Sequence, residues 1–321
     1  MREDLSPLDQ LLVEGAFTAD YMSDLVRARQ SSRQSGEQGV VVGLLPSEAE
    51  VDYALARFVA ANCAVVKPFE NDPTPLVLKG GLAVYGCYQG KRRSRDADIS
   101  PSSLDVEVDG RQPPDLLNVP RGMRLLAPTQ ETDEGWKVPV EFVTTTGDDR
   151  SKIICDLNKW GRAIRRPPAI KRPFESPFTS EPVTLWVVRA EEIVGEKIGA
   201  LLRRRNGRLR DIYDIGHLLA IAGDIDLDLG KVREVTVEAL QDLLPLVDNV
   251  RVAIQEMIRT RVNGHDDLGW IADEIRSIGY NAKEKDWRAQ VTDVVPGAGT
   301  PREETDHLLT LWHDLRLLER A

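Results

Sequence analysis

The chain has 321 residues, which is enough for one large core or for two domains that share a cleft. Charged residues make up 29% and the hydrophobic set 41%, and these fractions exclude a disordered chain and favour a globular protein. The net charge of −10 repels nucleic acid overall, so any contact with RNA requires a local basic patch.

The N-terminal region, residues 1–45, is interpreted as a helical arm followed by a linker. Apolar residues recur at helical spacing in its first part, and the segment Ser31–Gly39 is polar and contains glycine. The N-terminus has no apolar signal sequence, and no later stretch approaches the roughly 18 unbroken apolar residues that span a bilayer. We therefore expect a cytoplasmic protein with no membrane contact.

A helix is predicted from Ser47 to Cys63. Ser47 and Glu50 have the spacing of a capping box, and apolar residues continue along one helical face. Cys63 is one of three cysteines that are widely separated and lack metal-ligand spacing, together with Cys87 and Cys155. An odd number of such cysteines predicts buried thiols rather than disulfides or a zinc site.

Short apolar runs after this helix predict a small mixed β-sheet. Leu76–Lys79 has the pattern of a buried strand that ends at Gly80-Gly81, and a short helix over Leu82–Tyr85 is expected next. Two more strands are predicted over Leu104–Val108 and Val138–Thr145, the second with alternating apolar residues. A sheet combined with helices indicates an α/β (α+β) domain.

The second half of the chain is predicted to be mainly helical. This change of pattern suggests an α/β domain over residues 46–180 and a helical C-terminal domain over residues 181–321, which completes the active site in a shared cleft. The predicted helices are Glu191–Arg205, Asp211–Ala222, Val232–Ile258, Ile271–Ile278 and Glu303–Arg320.

Asp96 and Asp98 are the candidate metal ligands. Residues two apart on a strand project from the same face, so the two carboxylates can share the divalent cation that such oxygen ligands suit best, Mg²⁺. A third acid is expected on a neighbouring strand, and we assign it to Glu141, which alternates with core-facing Val140 and Phe142. Three other acids in strand-like surroundings remain alternatives: Asp105, Glu107 and Asp156.

Gly80 and Gly81 are the candidate nucleotide-binding residues. A glycine pair between a strand and a helix lets backbone N–H groups approach phosphate oxygens near the start of the helix. Ser94 would add a hydroxyl donor to the same triphosphate. Together with Asp96 and Asp98, these residues suit a reaction in which an acceptor hydroxyl displaces pyrophosphate from a nucleoside triphosphate with the help of two metal ions.

The order of these motifs resembles that of the polymerase-β-like nucleotidyltransferase superfamily. A strand, a glycine pair, a short helix and then Ser94-x-Asp96-x-Asp98 follow one another in a short stretch of chain. Further on, the segments Glu191–Leu202 and Arg210–Ile215 resemble the second half of the AbiEii-like nucleotidyltransferases. These proteins are the toxin halves of type IV toxin/antitoxin pairs, including mycobacterial toxins that act on tRNA.

The resemblance implies roles for residues of both halves. Lys197 matches an inward-facing lysine of the family and Asp211 matches its R-D-x-Y-D-like motif. The implied catalytic set is then Asp96, Asp98, Lys197 and Asp211, with Lys197 bound to nucleotide phosphates and Mg²⁺ as the cofactor. From the residues alone, Lys197 either meets a phosphate or extends over the core with its ammonium in water. Asp211 and Asp214 either line the site or stabilise the first turn of a helix.

Two basic clusters are candidate RNA-binding surfaces, although each can instead be a solvated surface. The first, Lys159–Arg172, lacks acids and contains Trp160, which is suited to base stacking. The second runs from Arg203 to Arg210. Near the D-x-D pair, three further arginines predict an unusually basic pocket: Arg92, Arg93 and Arg95.

The function implied by the resemblance is that of a toxin that transfers a nucleoside monophosphate from an NTP to RNA. The expected acceptor is the 3′ end of tRNA, and the expected result is inhibition of translation and growth. The expected partners are an NTP, tRNA and a cognate antitoxin. Two alternatives remain open, namely nucleotidyl transfer to a small molecule or protein, and a non-catalytic nucleotide-binding protein.

Overall fold

The computed structural model describes residues 46–65, 76–101, 117–126, 130–132, 135–144, 150–158, 169–175, 182–204, 209–241, 268–292, 295 and 297–318. Several sequence predictions lie outside these residues. They are the N-terminal arm over 1–45, the strand Leu104–Val108, most of the basic run over 159–168, and the predicted helix beyond residue 241.

The chain divides into two compact units. The first comprises residues 1–89 and 93–188, and the second comprises residues 90–92 and 189–321. The second unit therefore begins its long C-terminal part at Arg189, whereas the sequence interpretation began the helical domain at residue 181. It also includes the short segment 90–92, which sequence reasoning assigned to the α/β domain.

The described part of the first unit consists of helices and one mixed sheet, which confirms the predicted α/β class. The helices are α1 (Pro46–Cys63) and α2 (Gly80–Cys87). The strands are β1 (Leu76–Lys79), β2 (Asp96–Pro101), β3 (Met123–Leu125), β4 (Gln130–Thr132), β5 (Gly135–Val143), β6 (Arg150–Asn158), β7 (Ile170–Phe174) and β8 (Val183–Val187).

The sheet has the strand order β3-β5-β6-β2-β1-β8-β7, with β4 paired to β5. β1 runs parallel to β8 and β2 runs parallel to β6, while the other pairs are antiparallel. Strand β2, which begins with the D-x-D pair, is therefore an inner strand. Its backbone is held by hydrogen bonds to neighbours on both sides, which fixes the position of its side chains.

Alternating apolar residues explain why the long strands form. On β5, Val138 and Val140 are fully buried, whereas Lys137, the neighbour of Val138 on the same strand, is exposed. β6 repeats the pattern with buried Ile153, Cys155 and Leu157. Each such side chain contributes about 1.5–3 kcal/mol when it is removed from water, so the shared buried face stabilises the sheet.

The three cysteines are buried and free, which confirms the prediction of thiols rather than disulfides. Burial raises the pKa of Cys87 to about 12 and also raises the pKa of Cys63 and Cys155. The thiolate is the reactive form of cysteine, so these residues are chemically inert at neutral pH.

The described part of the second unit is helical, as predicted. Its helices are α3 (Ala190–Arg204), α4 (Leu209–Ala220), α5 (Leu229–Gln241), α6 (Trp270–Tyr280), α7 (Glu284–Trp287) and α8 (Pro301–Asp314), with a turn of π-helix over Arg288–Thr292. Val194, Ile198 and Leu201 bury one face of α3, and Ile212 and Ile215 bury one face of α4. Among the described residues, no helix has the length and apolar content needed to cross a membrane.

Candidate active site

The D-x-D pair, Asp96 and Asp98, lies at the beginning of strand β2. Ala97 and Ile99 are fully buried, whereas Asp96 and Asp98 remain partly exposed. This alternation is the period-two pattern of a strand, so both carboxylates project from the face opposite the core residues. The structure therefore brings together the two acids that the sequence predicted as metal ligands.

Gly80 leaves the space that the Asp98 carboxylate occupies. Its φ is +67°, a left-handed backbone conformation that favours glycine. A Cβ built at Gly80 would overlap the Asp98 carboxylate and would lie 2.9 Å from Asp98 Cβ. Any larger residue at this position would therefore displace the carboxylate. The glycine is required by a close approach within the site itself.

Helix α2 begins at Gly80, two residues before the predicted start at Leu82. Gly80 and the buried Gly81 thus form its first turn, in which backbone N–H groups have no helical partner. These N–H groups belong to the turn beside which the Asp98 carboxylate lies. The role of the glycine pair in binding phosphate stays a prediction.

Ser94 shapes the turn that leads into β2. Its side chain is buried, and its hydroxyl donates a hydrogen bond to the backbone carbonyl of Asp96 at 3.0 Å. A hydroxyl has one proton to donate, so this bond occupies the donor that the sequence interpretation assigned to a phosphate. In this structure Ser94 supports Asp96 rather than offering a free donor to a ligand.

Asp156, rather than Glu141, stands beside the D-x-D pair. In the parallel pairing of β2 with β6, Asp156 is the direct partner of Asp98, so the two side chains lie on the same face. Glu141 on β5 pairs instead with Lys152, which is four residues from Asp156 along β6 and thus roughly 13 Å away. The sequence interpretation included Asp156 only as an alternative.

The Glu141 carboxylate is engaged elsewhere. Its Oε2 accepts hydrogen bonds from Arg124 Nε at 2.6 Å and from Arg150 Nη1 at 2.7 Å. These two hydrogen bonds are the main reason why the pKa of Glu141 is lowered. The structure therefore does not bring Glu141 to Asp96 and Asp98, and its Oε2 is bound by two arginines.

The described acids fit Mg²⁺ as an incomplete shell. No group of three or more His, Cys, Asp or Glu side chains in the described part of the chain is arranged to hold a metal ion by itself. Mg²⁺ generally takes one or two carboxylates from a protein and completes its octahedral shell with water and substrate phosphates. Asp96 and Asp98, with Asp156 next to Asp98 and the Asp98 carboxylate seated in the space that Gly80 leaves, would supply such carboxylates.

Arg93 contacts α1 through two carboxylates. Its guanidinium lies 3.2 Å from Glu48 Oε2 and 3.8 Å from Asp52 Oδ2. Asp52 is buried, and this burial raises its pKa to about 7 although Arg93 acts in the opposite direction. Arg93 directly precedes Ser94 in the chain, so this contact fixes the beginning of the turn that leads into β2.

The second unit contains a buried cluster of four charged side chains, which we call the buried ion cluster: Arg92, Lys197, Asp211 and Asp214. Lys197 on α3 donates to Asp211 Oδ1 and to Asp214 Oδ2 on α4, each at 2.7 Å. Arg92 donates to both oxygens of Asp214, through Nε and Nη2, also at 2.7 Å. Each of the four residues is at most 8% exposed, and the two cations balance the two anions.

Asp214 is the centre of the buried ion cluster. Burial alone raises its pKa, but the charges and hydrogen bonds of Arg92 and Lys197 outweigh burial and hold the pKa well below its ordinary range. Helix α4 begins at Leu209, so Asp214 lies beyond the first turn. The alternative interpretation of Asp214 as a helix-start acid is therefore wrong, whereas Asp211 does lie in the first turn.

Two groups of the cluster retain bonding capacity. Asp211 Oδ2 is buried and accepts no hydrogen bond from the residues that the structure describes. The Lys197 ammonium has three N–H groups and uses two of them on Asp211 and Asp214. The structure thus pairs the two residues of the helical half that the sequence singled out. It also adds two residues that lie outside the predicted catalytic set, Arg92 and Asp214.

The described end of the first basic cluster lies on β7, an edge strand of the sheet. Lys171 Nζ is 5.0 Å from the ring centre of Trp186, and the Arg172 guanidinium is 4.4 Å from that of Tyr88. The Lys171 side chain is exposed, whereas the Tyr88 ring next to Arg172 is buried, so only the first of these two pairs lies at the surface.

These motifs agree with a comparison against protein families. A family model described as "Nucleotidyl transferase AbiEii toxin, Type IV TA system" matches residues 65–305. The chain belongs to this family. Proteins of the AbiEii family are nucleotidyltransferase toxins, so a nucleotide substrate and an antitoxin partner come with membership. The match includes both the D-x-D pair and the buried ion cluster.

Solved structures with a similar course of the chain include two from Helicobacter pylori. JHP933 is 16% identical to this chain, with a TM-score of 0.49, and the match covers 86% of this chain and 95% of JHP933. A putative nucleotidyltransferase is also 16% identical, with a TM-score of 0.47, and the match covers 86% of this chain and 100% of that protein. MenT4, a nucleotidyltransferase toxin from Mycobacterium tuberculosis, is 18% identical with a TM-score of 0.41 and covers 90% and 98%. A comparison with curated protein sequences finds no match.

Proposed function

We propose that this AbiEii protein transfers a nucleoside monophosphate from an NTP to the 3′ acceptor end of tRNA, with Mg²⁺ as the cofactor, and so inhibits translation and growth. The observation that carries the proposal is the fit between Gly80 and Asp98. The first turn of α2 is shaped so that a carboxylate of the D-x-D pair stays in place beside helix N–H donors. A triphosphate and its metal ion need both kinds of group in one place.

The proposed reaction is a displacement at the α-phosphorus of the NTP. The oxygen of the acceptor hydroxyl forms the new O–P bond, and the bond from the α-phosphorus to the bridging oxygen breaks. Pyrophosphate leaves with that electron pair, and the hydroxyl proton passes to a carboxylate of the site and then to water. Mg²⁺, when bound, neutralises charge on the phosphates and on the leaving pyrophosphate.

The metal ligands proposed here are Asp96, Asp98 and Asp156. Asp156 replaces Glu141 in this role because the register of β2 with β6 puts it next to Asp98. The Asp156 side chain is 31% exposed, and its Oδ1 lies 3.9 Å from Lys137 Nζ, so it is not locked in a short ion pair with that lysine. A partly exposed carboxylate beside the pair can accept a proton or join the metal shell.

Lys197 and Asp211 are proposed to bind the nucleotide and to orient it. The Lys197 ammonium has one N–H group beyond the two that Asp211 and Asp214 accept, and a phosphate oxygen would complete its set. Asp211 fixes the ammonium through Oδ1, while its buried Oδ2 is available to accept a bond from a hydroxyl of the nucleotide or acceptor.

RNA as the acceptor class is supported by charge. The protein carries a net charge of −10, so a segment that contains basic residues and no acidic ones differs in charge from the rest of the chain. Lys171 and Arg172 on β7 continue the basic run from Lys159, in which no acid occurs. We propose that this edge binds the RNA backbone, and that the protein acts in the cytoplasm, where NTPs and tRNA meet.

The test is label transfer by the purified full chain. It is incubated with Mg²⁺, total tRNA and each α-labelled NTP in turn, beside Asp98→Asn and the matched control Asp273→Asn, whose side chain is 77% exposed on α6. We expect label in RNA with the wild type and the control, and a loss of more than about 100-fold with Asp98→Asn, since even indirect supports of a metal site are worth 10–100-fold. Label on protein or small molecules but not on RNA would overturn the acceptor class, and equal activity of Asp98→Asn would overturn the proposed site.

A further inference from the structure

We propose that Arg92 and Asp214 form a positioning pair that holds the turn before β2, and thereby sets the Asp96 and Asp98 carboxylates in their metal-binding arrangement. This inference rests on the function proposed above and deepens it. It assigns a role to two residues outside the predicted catalytic set. Arg92 is then a support of the metal site rather than a source of positive charge for the substrate.

The Arg92 guanidinium is buried and directed at Asp214 rather than at a substrate. Its Nε and Nη2 form a bidentate pair with Asp214, with both distances at 2.7 Å, and only 4% of the residue is exposed. A planar guanidinium bound by two parallel hydrogen bonds is fixed in direction as well as in position. The sequence interpretation of a basic pocket therefore does not apply to Arg92.

Three consecutive side chains hold the turn before β2. Arg92 is bound by Asp214, Arg93 by Glu48 and Asp52, and the Ser94 hydroxyl by the Asp96 carbonyl. Each contact uses a different element, and the last one ends on the first residue of the D-x-D pair. A turn held at these three residues needs less ordering when a metal ion binds, so the carboxylates are preorganised.

The backbone on the N-terminal side of Arg92 also has a defined conformation. Gln89 is exposed and has a φ of +56°, which is uncommon for a residue other than glycine. Such a conformation persists where the surrounding structure imposes it. Gln89 immediately precedes the segment 90–92, so the backbone on this side of Arg92 is also held in a defined conformation.

Removing the pair is expected to weaken the metal site more than the fold. Arg92→Lys keeps the charge that Asp214 needs but loses the bidentate geometry, so it is the variant of choice. Arg92→Gln, which leaves Asp214 with Lys197 alone, would risk unfolding because a buried charge loses its partner. Arg93→Gln is a second variant, since it releases the same turn from α1 and leaves the buried ion cluster intact.

The experiment measures Mn²⁺ binding to the full chain by EPR in the presence of a non-hydrolysable NTP analogue, together with the Mg²⁺ dependence of label transfer. For Arg92→Lys we expect about tenfold weaker Mn²⁺ binding and a similar rise in the Mg²⁺ concentration for half-maximal transfer, the size usual for residues that orient metal ligands. KM for tRNA should stay unchanged. Arg93→Gln should shift both metal readouts in the same direction by a smaller factor.

The control is Arg276→Gln, which removes an exposed arginine from its pair with Asp273 on α6 and should alter neither readout. Wild-type Mn²⁺ affinity in both Arg92→Lys and Arg93→Gln, with normal transfer by the wild type, would refute the positioning role while leaving the proposed function intact. A rise in KM for tRNA without a change in metal binding would also refute it. If the wild type itself neither binds Mn²⁺ nor transfers nucleotide, the proposed function fails and the positioning role fails with it.

Discussion

At the scale of single residues, the alternation of Asp96 and Asp98 with Ala97 and Ile99 was readable in the sequence. The two carboxylates share one face if this segment is a strand, and the structure has that strand. The space that Gly80 leaves for Asp98 was not readable in this form, because it depends on the antiparallel register that puts Lys79 opposite Asp98. The sequence indicated that glycine was needed, but for a phosphate rather than for a carboxylate.

The third acid shows where sequence reasoning reaches its limit. Both Glu141 and Asp156 alternate with buried residues, so both satisfy the same strand pattern. Only the order of strands distinguishes them, since β6 lies next to β2 and β5 lies one strand further away. Strand order is set by long-range packing, which a single sequence does not reveal.

Replacing each of these acids separately tests the assignment. We expect Asp156→Asn to lower nucleotidyl transfer by more than about tenfold, since it removes a carboxylate beside Asp98. Glu141→Gln should lower the stability slightly through its exposed arginine pairs and leave transfer within about threefold of the wild type. Initial rates of label incorporation at saturating Mg²⁺ measure both, and the reverse ranking of the two variants would restore Glu141 as the third ligand.

At the scale of secondary-structure elements, the helices were predicted well because their apolar faces are long and regular. The predicted helix from Ser47 to Cys63 corresponds to α1, and those starting at Glu191 and Asp211 correspond to α3 and α4 within two residues. Five strands were not predicted, namely β3, β4, β6, β7 and β8. β7 contains Pro173 and charged residues on an edge, and this composition hides a short strand from pattern analysis.

Helix α1 carries a buried carboxyl whose titration should be visible in the stability of the protein. Burial raises the pKa of Asp52 from 3.8 to about 7, so the folded state binds its proton more tightly than the unfolded state does. The stability that the protonated carboxyl allows is present below pH 4 and is lost as the pH rises through 7. Asp52→Asn should therefore be more stable than the wild type at pH 8, by up to roughly 4 kcal/mol, and nearly equal to it at low pH.

Thermal unfolding at pH 5 and pH 8 measures this difference. Asp273→Asn, an exposed replacement of the same chemistry, should give the same small shift at both values. A gain for Asp52→Asn that does not depend on pH would show that the carboxyl is charged throughout, and would remove burial as the dominant influence on Asp52.

At the scale of the whole molecule, the family match over residues 65–305 runs through both units, so the nucleotidyltransferase motifs of each belong to one family sequence. Sequence reasoning placed Lys197 and Asp211 in the helical half but did not foresee that the segment 90–92 would join that half. An excursion of three residues leaves no trace in composition or periodicity. In the structure, the ion pair between Arg92 and Asp214 is part of what joins this segment to the second unit.

The most direct measurement is the intact mass of tRNA after incubation of the protein with NTPs and Mg²⁺, with tRNA whose terminal 2′,3′-diol has been destroyed by periodate as the comparison. Transfer to the acceptor end predicts a mass gain of whole nucleoside monophosphates on intact tRNA, none on oxidised tRNA, and none with Asp98→Asn. An equal gain on oxidised tRNA, or a gain that survives Asp98→Asn, would contradict transfer to the 3′ end by the site on β2.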